Sequence, residues 1–212
     1  FVSTLLHGNE TSGLSALQQI WKKNRFNGRN VMILLGNIRA AAQTLRKLED
    51  QSDFNRIWSH DLGTSRPRWA SQALEQINKL RPIACVDVHN STGKTPPHAV
   101  ISYLNAEHLG LATLFSTNVV HFREPHTTLV NVLGESFPSV VLECGCSGDP
   151  KSEKVVVEFF QQLFSCDHLP TIPLQSSDVH LLESVARIYV QGNFRFEPKP
   201  ATNPKSSAQN KI

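Results

Sequence analysis

Apolar and polar positions in this chain alternate between two rhythms. Short runs rich in aliphatic and β-branched residues, at 2–6, 30–35, 82–88, 98–104, 118–122 and 139–142, predict strands. Between them lie stretches whose apolar residues fall three and four apart, the spacing of one helix face. Residues 13–24 predict an amphipathic helix with Leu14, Leu17, Ile20 and Trp21 on its apolar side. Residues 38–48 predict helix in part, and 65–80 a full helix stopped by Arg81-Pro82. Residues 151–164 predict another, with Asp149 as cap and Pro150 in the first turn. Strands alternating with helices imply an α/β fold with a central, mainly parallel sheet flanked by helices.

Near residue 168 the texture changes. Residues 169–196 read as a short β-rich extension, and 197–212 are Pro, Ser, Asn and Lys with almost nothing to bury, which predicts a flexible tail. Residues 1–168 then form a single domain. With 212 residues, 40% of them hydrophobic, the chain is long enough for one sizeable core.

Charge narrows the function classes. The net charge is +3, and the 21 basic residues are dispersed, with only Lys22, Lys23 and Arg25 close together, so no nucleic-acid face is expected. No run of eighteen apolar residues exists to span a membrane, and no signal peptide is visible. Four cysteines are too few for a disulfide scaffold, and Cys85, inside an apolar run, reads as a buried thiol. A cytoplasmic setting is the default expectation. Phe1 begins inside an apparent strand without an initiator Met, so residues upstream are expected.

Three motifs carry candidate chemistry. His7-Gly8-Asn9-Glu10 follows the first strand and can aim an imidazole and a carboxylate at one point. Asp87-Val88-His89-Asn90 follows another apolar run; residues two apart on a strand share a face, so Asp87 can support His89. Glu143 stands at the end of the most hydrophobic strand, where a charge is costly to bury without a role or a partner. Two His and one carboxylate, with a position left for water, is the ligand set of catalytic zinc. Between the motifs lie Asn37, Arg39, Arg46, Asn55 and Arg56, groups suited to binding a carboxylate through a planar fork or a neutral donor. Each also has an ordinary alternative: a core histidine, a helix cap, a solvated arginine.

In their order and spacing these segments, together with Asn37-x-Arg39-Ala40, Asp53-Phe54-Asn55-Arg56 and Glu143-Cys144-Gly145, resemble the aspartoacylase and succinylglutamate desuccinylase family of carboxypeptidase-A-like zinc hydrolases. The resemblance runs from about Val2 to about Pro150. It implies one Zn2+ held by His7, Glu10 and His89, and Glu143 as general base and acid. It implies Arg46 at the scissile carbonyl, with Asn55, Arg56 and Arg39 binding a substrate carboxylate and Asp87 behind His89. The activity implied is hydrolysis of an amide in an N-acylated amino acid or similar small carboxylate, in a protein that can be a homo-oligomer. The alternatives are a zinc carboxypeptidase acting on peptides and a non-catalytic metal-dependent binding protein. Two departures stand out: Ile38 replaces a frequent proline, and no arginine occurs around Asn131 to Gly134, where members acting on N-acetylaspartate carry one.

Overall fold

The computed structural model describes residues 1–186 except 24, 60–65, 124 and 175–176. The β segments expected within 187–196, the tail expected at 197–212, and one terminal residue of each helix expected over 13–24 and 65–80 lie outside the described residues. The described strands are β1 (Val2–Thr4), β2 (Ile33–Leu35), β3 (Cys85–Ser91), β4 (His98–Ile101), β5 (Asn118–His121), β6 (Ser139–Cys146) and β7 (His180–Glu183). They form one sheet in the order β2-β1-β3-β6-β4-β5-β7, parallel throughout except between β4 and β6. The helices are α1 (Ser12–Lys22), α2 (Ile38–Ala41), α3 (Arg68–Leu80), α4 (Ala106–Thr113), α5 (Leu129–Gly134) and α6 (Pro150–Ser165). This is the mixed, mainly parallel α/β architecture that the strand–helix alternation predicts.

The period-two geometry of a strand divides the core. Val86 and Val88 of β3 and Val140 and Leu142 of β6 face α1 and α6, packing with Ala16, Leu17, Ile20, Phe159 and Phe160. Cys85 faces the other way, with Leu129 and Leu133 of α5, Leu74 and Ile77 of α3, and Trp58. Asp87 and His89 share that second face with Cys85. Burial on both sides is why β3 and β6 read as nearly continuous apolar runs. Each large aliphatic or aromatic side chain so buried contributes about 1.5–3 kcal/mol.

Several expectations need correction. The buried stripe of α1 is Gly13, Ala16, Leu17 and Ile20, whereas Trp21 is 71% exposed. The small residues at 13 and 16 let the helix approach β3 closely, and that turns the bulkier Trp21 aside. Helices α4 and α5 were not anticipated. All of His108 to Ala112 in α4 is buried, which erases the polar half of the helical rhythm, and α5 has only six residues. Strand β6 continues to Cys146, so Glu143 lies within the strand rather than at its end.

Topology locates a site. The chain leaves β1 for β2 on one side and returns with β3 on the other, so the strand order reverses between β1 and β3. In open α/β sheets the crevice at the carboxyl ends of such strands is where ligands bind.

Candidate metal centre

The turn after β1 carries His7 and Glu10 into that crevice. Leu5, buried beneath it, has φ +59°, a left-handed conformation that costs a non-glycine residue about 1–3 kcal/mol and that a functional turn retains. The backbone N–H of Asn37 holds the strained turn by donating to the Leu5 carbonyl at 2.6 Å. Gly8 follows where no side chain fits, since a Cβ would come within 2.7 Å of the Leu45 carbonyl.

His7 and His89 converge on one carboxylate. His7 Nδ1 lies 2.8 Å from Glu10 Oε1, and His89 Nδ1 lies 2.7 Å from Glu10 Oε2. The opposite nitrogen of each ring rests on a second acid: His7 Nε2 is 3.1 Å from Asp53 Oδ1, and His89 Nε2 is 2.8 Å from Asp87 Oδ2. Asp87 is fixed from its other oxygen by the Ser3 hydroxyl at 2.8 Å, its register partner on β1. The Asn90 backbone N–H donates to Glu10 Oε2 at 3.1 Å, and the Asn90 side chain ties the start of α1 to the Gly145 carbonyl.

Electrostatics follow from this enclosure. Burial alone would lower the pKa of His7, but its hydrogen bonds to Asp53 and Glu10 outweigh burial and raise it. The same contest raises His89 well above the usual histidine range, through the charge and hydrogen bond of Asp87 and the bond to Glu10. Burial pushes Glu10 up, yet the two imidazoles bring it down to about 2. Each imidazole thus has a carboxylate at both nitrogens.

Donor atoms of His7, Glu10 and His89 lie within 4.8 Å of one another, all three residues buried. Both Nδ1 atoms face Glu10, and each Nε2 lies beside an acid that can accept its proton, the arrangement that holds ligand histidines in the tautomer that binds metal. This donor set fits a divalent transition metal such as zinc.

A cavity of about 530 Å³ opens over the cluster. Arg46, Asn55, Arg56 and Glu143 line it beside the two His and Glu10. Arg46 is half-exposed, bonded to Asp53 Oδ2 at 2.9 Å and 3.7 Å from Glu10. Arg56 donates to the Asn55 carbonyl at 2.8 Å. Asn55 is buried, its Oδ1 accepting from Leu129 N–H and its Nδ2 3.2 Å from His89 Nε2. Glu143 sits directly across the β3–β6 ladder from His89 and across the β6–β4 ladder from His98, and accepts from the Ser91 hydroxyl at 3.4 Å.

Arg39 is not brought to the cavity. It is largely exposed and pairs with Asp50 at 3.8 Å. Asn37 likewise serves locally, capping α2 through Ala40 N–H. Asp53, part of the Asp53-Phe54-Asn55-Arg56 segment, supports His7 from 46 residues away. Ser3 and His98 also escaped the sequence reading, because only register partners across strands reveal them.

A model of the succinylglutamate desuccinylase/aspartoacylase catalytic domain matches residues 1–128. Among curated protein sequences, none matches. Solved structures resemble the chain in fold. A succinylglutamate desuccinylase from Chromobacterium violaceum aligns with a TM-score of 0.69 at 16% identity, covering 93% of this chain and 69% of that one. Murine aminoacylase 3 aligns at 0.53 with 19% identity, covering 77% and 63%. A succinylglutamate desuccinylase/aspartoacylase from Rhodobacter sphaeroides aligns at 0.58 with 17% identity, covering 81% and 55%. The chain therefore spans less than two thirds of the last two. Among the described residues, no helix is long and apolar enough to cross a membrane.

Proposed function

The chain belongs to the succinylglutamate desuccinylase/aspartoacylase catalytic domain family, a family of hydrolases, and from that premise we propose that it is a zinc-dependent deacylase cleaving the amide of an N-acylated amino acid or similar small carboxylate. The observation that carries the reading is the convergence of two Nδ1 atoms on Glu10 with a carboxylate behind each ring, and Glu143 on the adjacent strand. His7, Glu10 and His89 would hold the ion. Bound there, zinc supplies a Lewis acid and a water whose pKa falls towards about 7.

The remaining steps belong to the chain. Glu143, lining the cavity, takes the proton of the attacking water and returns it to the departing amine. Arg46 is held beside the donor cluster by Asp53 and donates to the oxygen of the carbonyl under attack, where charge develops. Arg56, with Asn55 next to it, engages the substrate carboxylate and so fixes the amide over the cluster. Asp87 and Asp53 keep the imidazoles oriented.

A carboxypeptidase acting on peptides calls for the same groups, and a metal-dependent binding protein needs all of them but Glu143. Zinc-loaded protein should therefore be assayed against N-acyl amino acids and C-terminal dipeptides in parallel. Hydrolysis confined to the N-acyl series is expected. Preference for dipeptides favours the peptidase, and tight binding of an acylated substrate without turnover favours the binding protein.

A further inference from the structure

Beyond Glu143 the cavity floor changes character. Val141 of β6, Val100 of β4 and Val120 of β5 all line it, and they are register neighbours: Val141 pairs with Val100, and Val100 with Val120. Leu182 of β7, 59% exposed, pairs with Val120 and continues the same row to the sheet edge. Alternation explains the row, since Ala99, Ile101, Val119, Val140 and Leu142 turn to the opposite face and are buried there. Phe122 lines the cavity just beyond. Strands stand about 4.8 Å apart and residues about 3.3 Å apart along them, so Val141, one strand over from His89 and two residues along, lies roughly 8 Å from it, Val100 roughly 12 Å and Val120 roughly 16 Å. A side chain or acyl chain of a few carbons anchored at the metal reaches the near end of the row.

The two halves of the cavity are chemically opposed. Its lysines and arginines among the described lining residues are Arg46 and Arg56, and both are tied to the metal half, through Asp53 and Asn55. Among the described residues the valine half offers no such cation; its polar lining there is His98 and Ser102, on either side of Val100. A carboxylate lying on that shelf would lose hydration and meet at most an imidazole or a hydroxyl, whereas an aliphatic or aromatic group would bury apolar surface.

Resting on the deacylase reading, we infer that the substrate carries a single carboxylate, met by Arg56, together with an apolar side chain or acyl chain that lies over the Val141–Val100–Val120 row. Dicarboxylic N-acyl amino acids are disfavoured. One methylene more or less in an apolar pocket is worth about 10–200-fold.

The test uses zinc-loaded full chain and two substrate series. One fixes the acetyl group and varies the amino acid through leucine, phenylalanine, aspartate and glutamate; the other fixes glycine and lengthens the acyl chain from acetyl to hexanoyl. At least tenfold higher kcat/KM for the leucine or phenylalanine compound than for aspartate or glutamate, or a rise of that size with acyl length, is expected. Val100→Arg should lower the apolar rate tenfold or more, chiefly through KM, and raise that of N-acetylaspartate. If that variant does not fold, Val100→Ser should narrow the apolar preference several-fold. Preference for the dicarboxylates together with a flat acyl series overturns the inference and leaves the deacylase reading standing. If no N-acyl amino acid is hydrolysed, the deacylase reading falls. Calorimetric titration of N-acetyl-leucine against N-acetyl-aspartate then decides the inference, with equal or weaker binding of the leucine compound overturning it.

Discussion

His89 of β3 and Glu143 of β6 are direct partners in a parallel ladder, on the face that carries the cavity. A candidate ligand and a candidate base are thereby held by two rigid, fully flanked strands rather than by loops. Glu143→Gln keeps the shape of the side chain and removes its ability to take a proton. Metal content and folding should be preserved while turnover falls by about two to four orders of magnitude. A loaded, folded variant with near-wild-type turnover would remove Glu143 from the chemistry.

Asp87 supports His89 from behind, and Ser3 in turn supports Asp87. Asp87→Asn should weaken metal affinity roughly tenfold to a hundredfold, as measured by competition with a chelator. Ser3→Ala should act in the same direction and less strongly. An effect of Asp87→Asn on turnover equal to that of Glu143→Gln, at saturating metal, would mean the roles of the two carboxylates are reversed.

Gly13 lies where α1 crosses β3. A Cβ there would stand 2.8 Å from Val88 Cβ and collide with the Thr4 hydroxyl. Gly13→Ala should destabilise the fold by about 1–3 kcal/mol, the usual cost of overpacking, and is read as a lowered thermal midpoint. An unchanged midpoint would show that α1 can lift off the sheet freely.

Much of this arrangement is legible in the sequence, for identifiable reasons. His7, Glu10 and His89 follow apolar runs that become β1 and β3, and spacing alone puts Asp87 on the face of His89. What the sequence does not display is pairing between distant segments. That Asp53 backs His7 depends on how the segment between α2 and α3 folds back over β1, that Ser3 backs Asp87 on the β1–β3 register, and that Val100, Val120 and Val141 form one row on strand order and the antiparallel placement of β4. Helix α4 was invisible because burial all round leaves no periodicity to detect. That Arg39 pairs with Asp50 at the surface is likewise absent from the motif, which lists residues without their neighbours in space.

His108 offers a test of burial away from the site. It is buried in α4, and that burial, only partly offset by Glu107 and the Gly134 backbone, lowers its pKa. The unfolded chain therefore takes up the proton first as pH falls below about 6.5, and the folded state loses stability through that window. Between pH 7.5 and 5.5 the thermal midpoint of the wild type should fall relative to that of His108→Gln. A constant difference across that range would show that His108 is not held neutral by its surroundings.

The central claim is that His7, Glu10 and His89 form one metal site. It is tested most directly by elemental analysis of wild type, His7→Ala and His89→Ala, each confirmed as folded and dialysed from the same zinc-containing buffer. The account predicts close to one equivalent of zinc in the wild type and loss of most of it in both variants. Full retention of zinc in His7→Ala and in His89→Ala would contradict it.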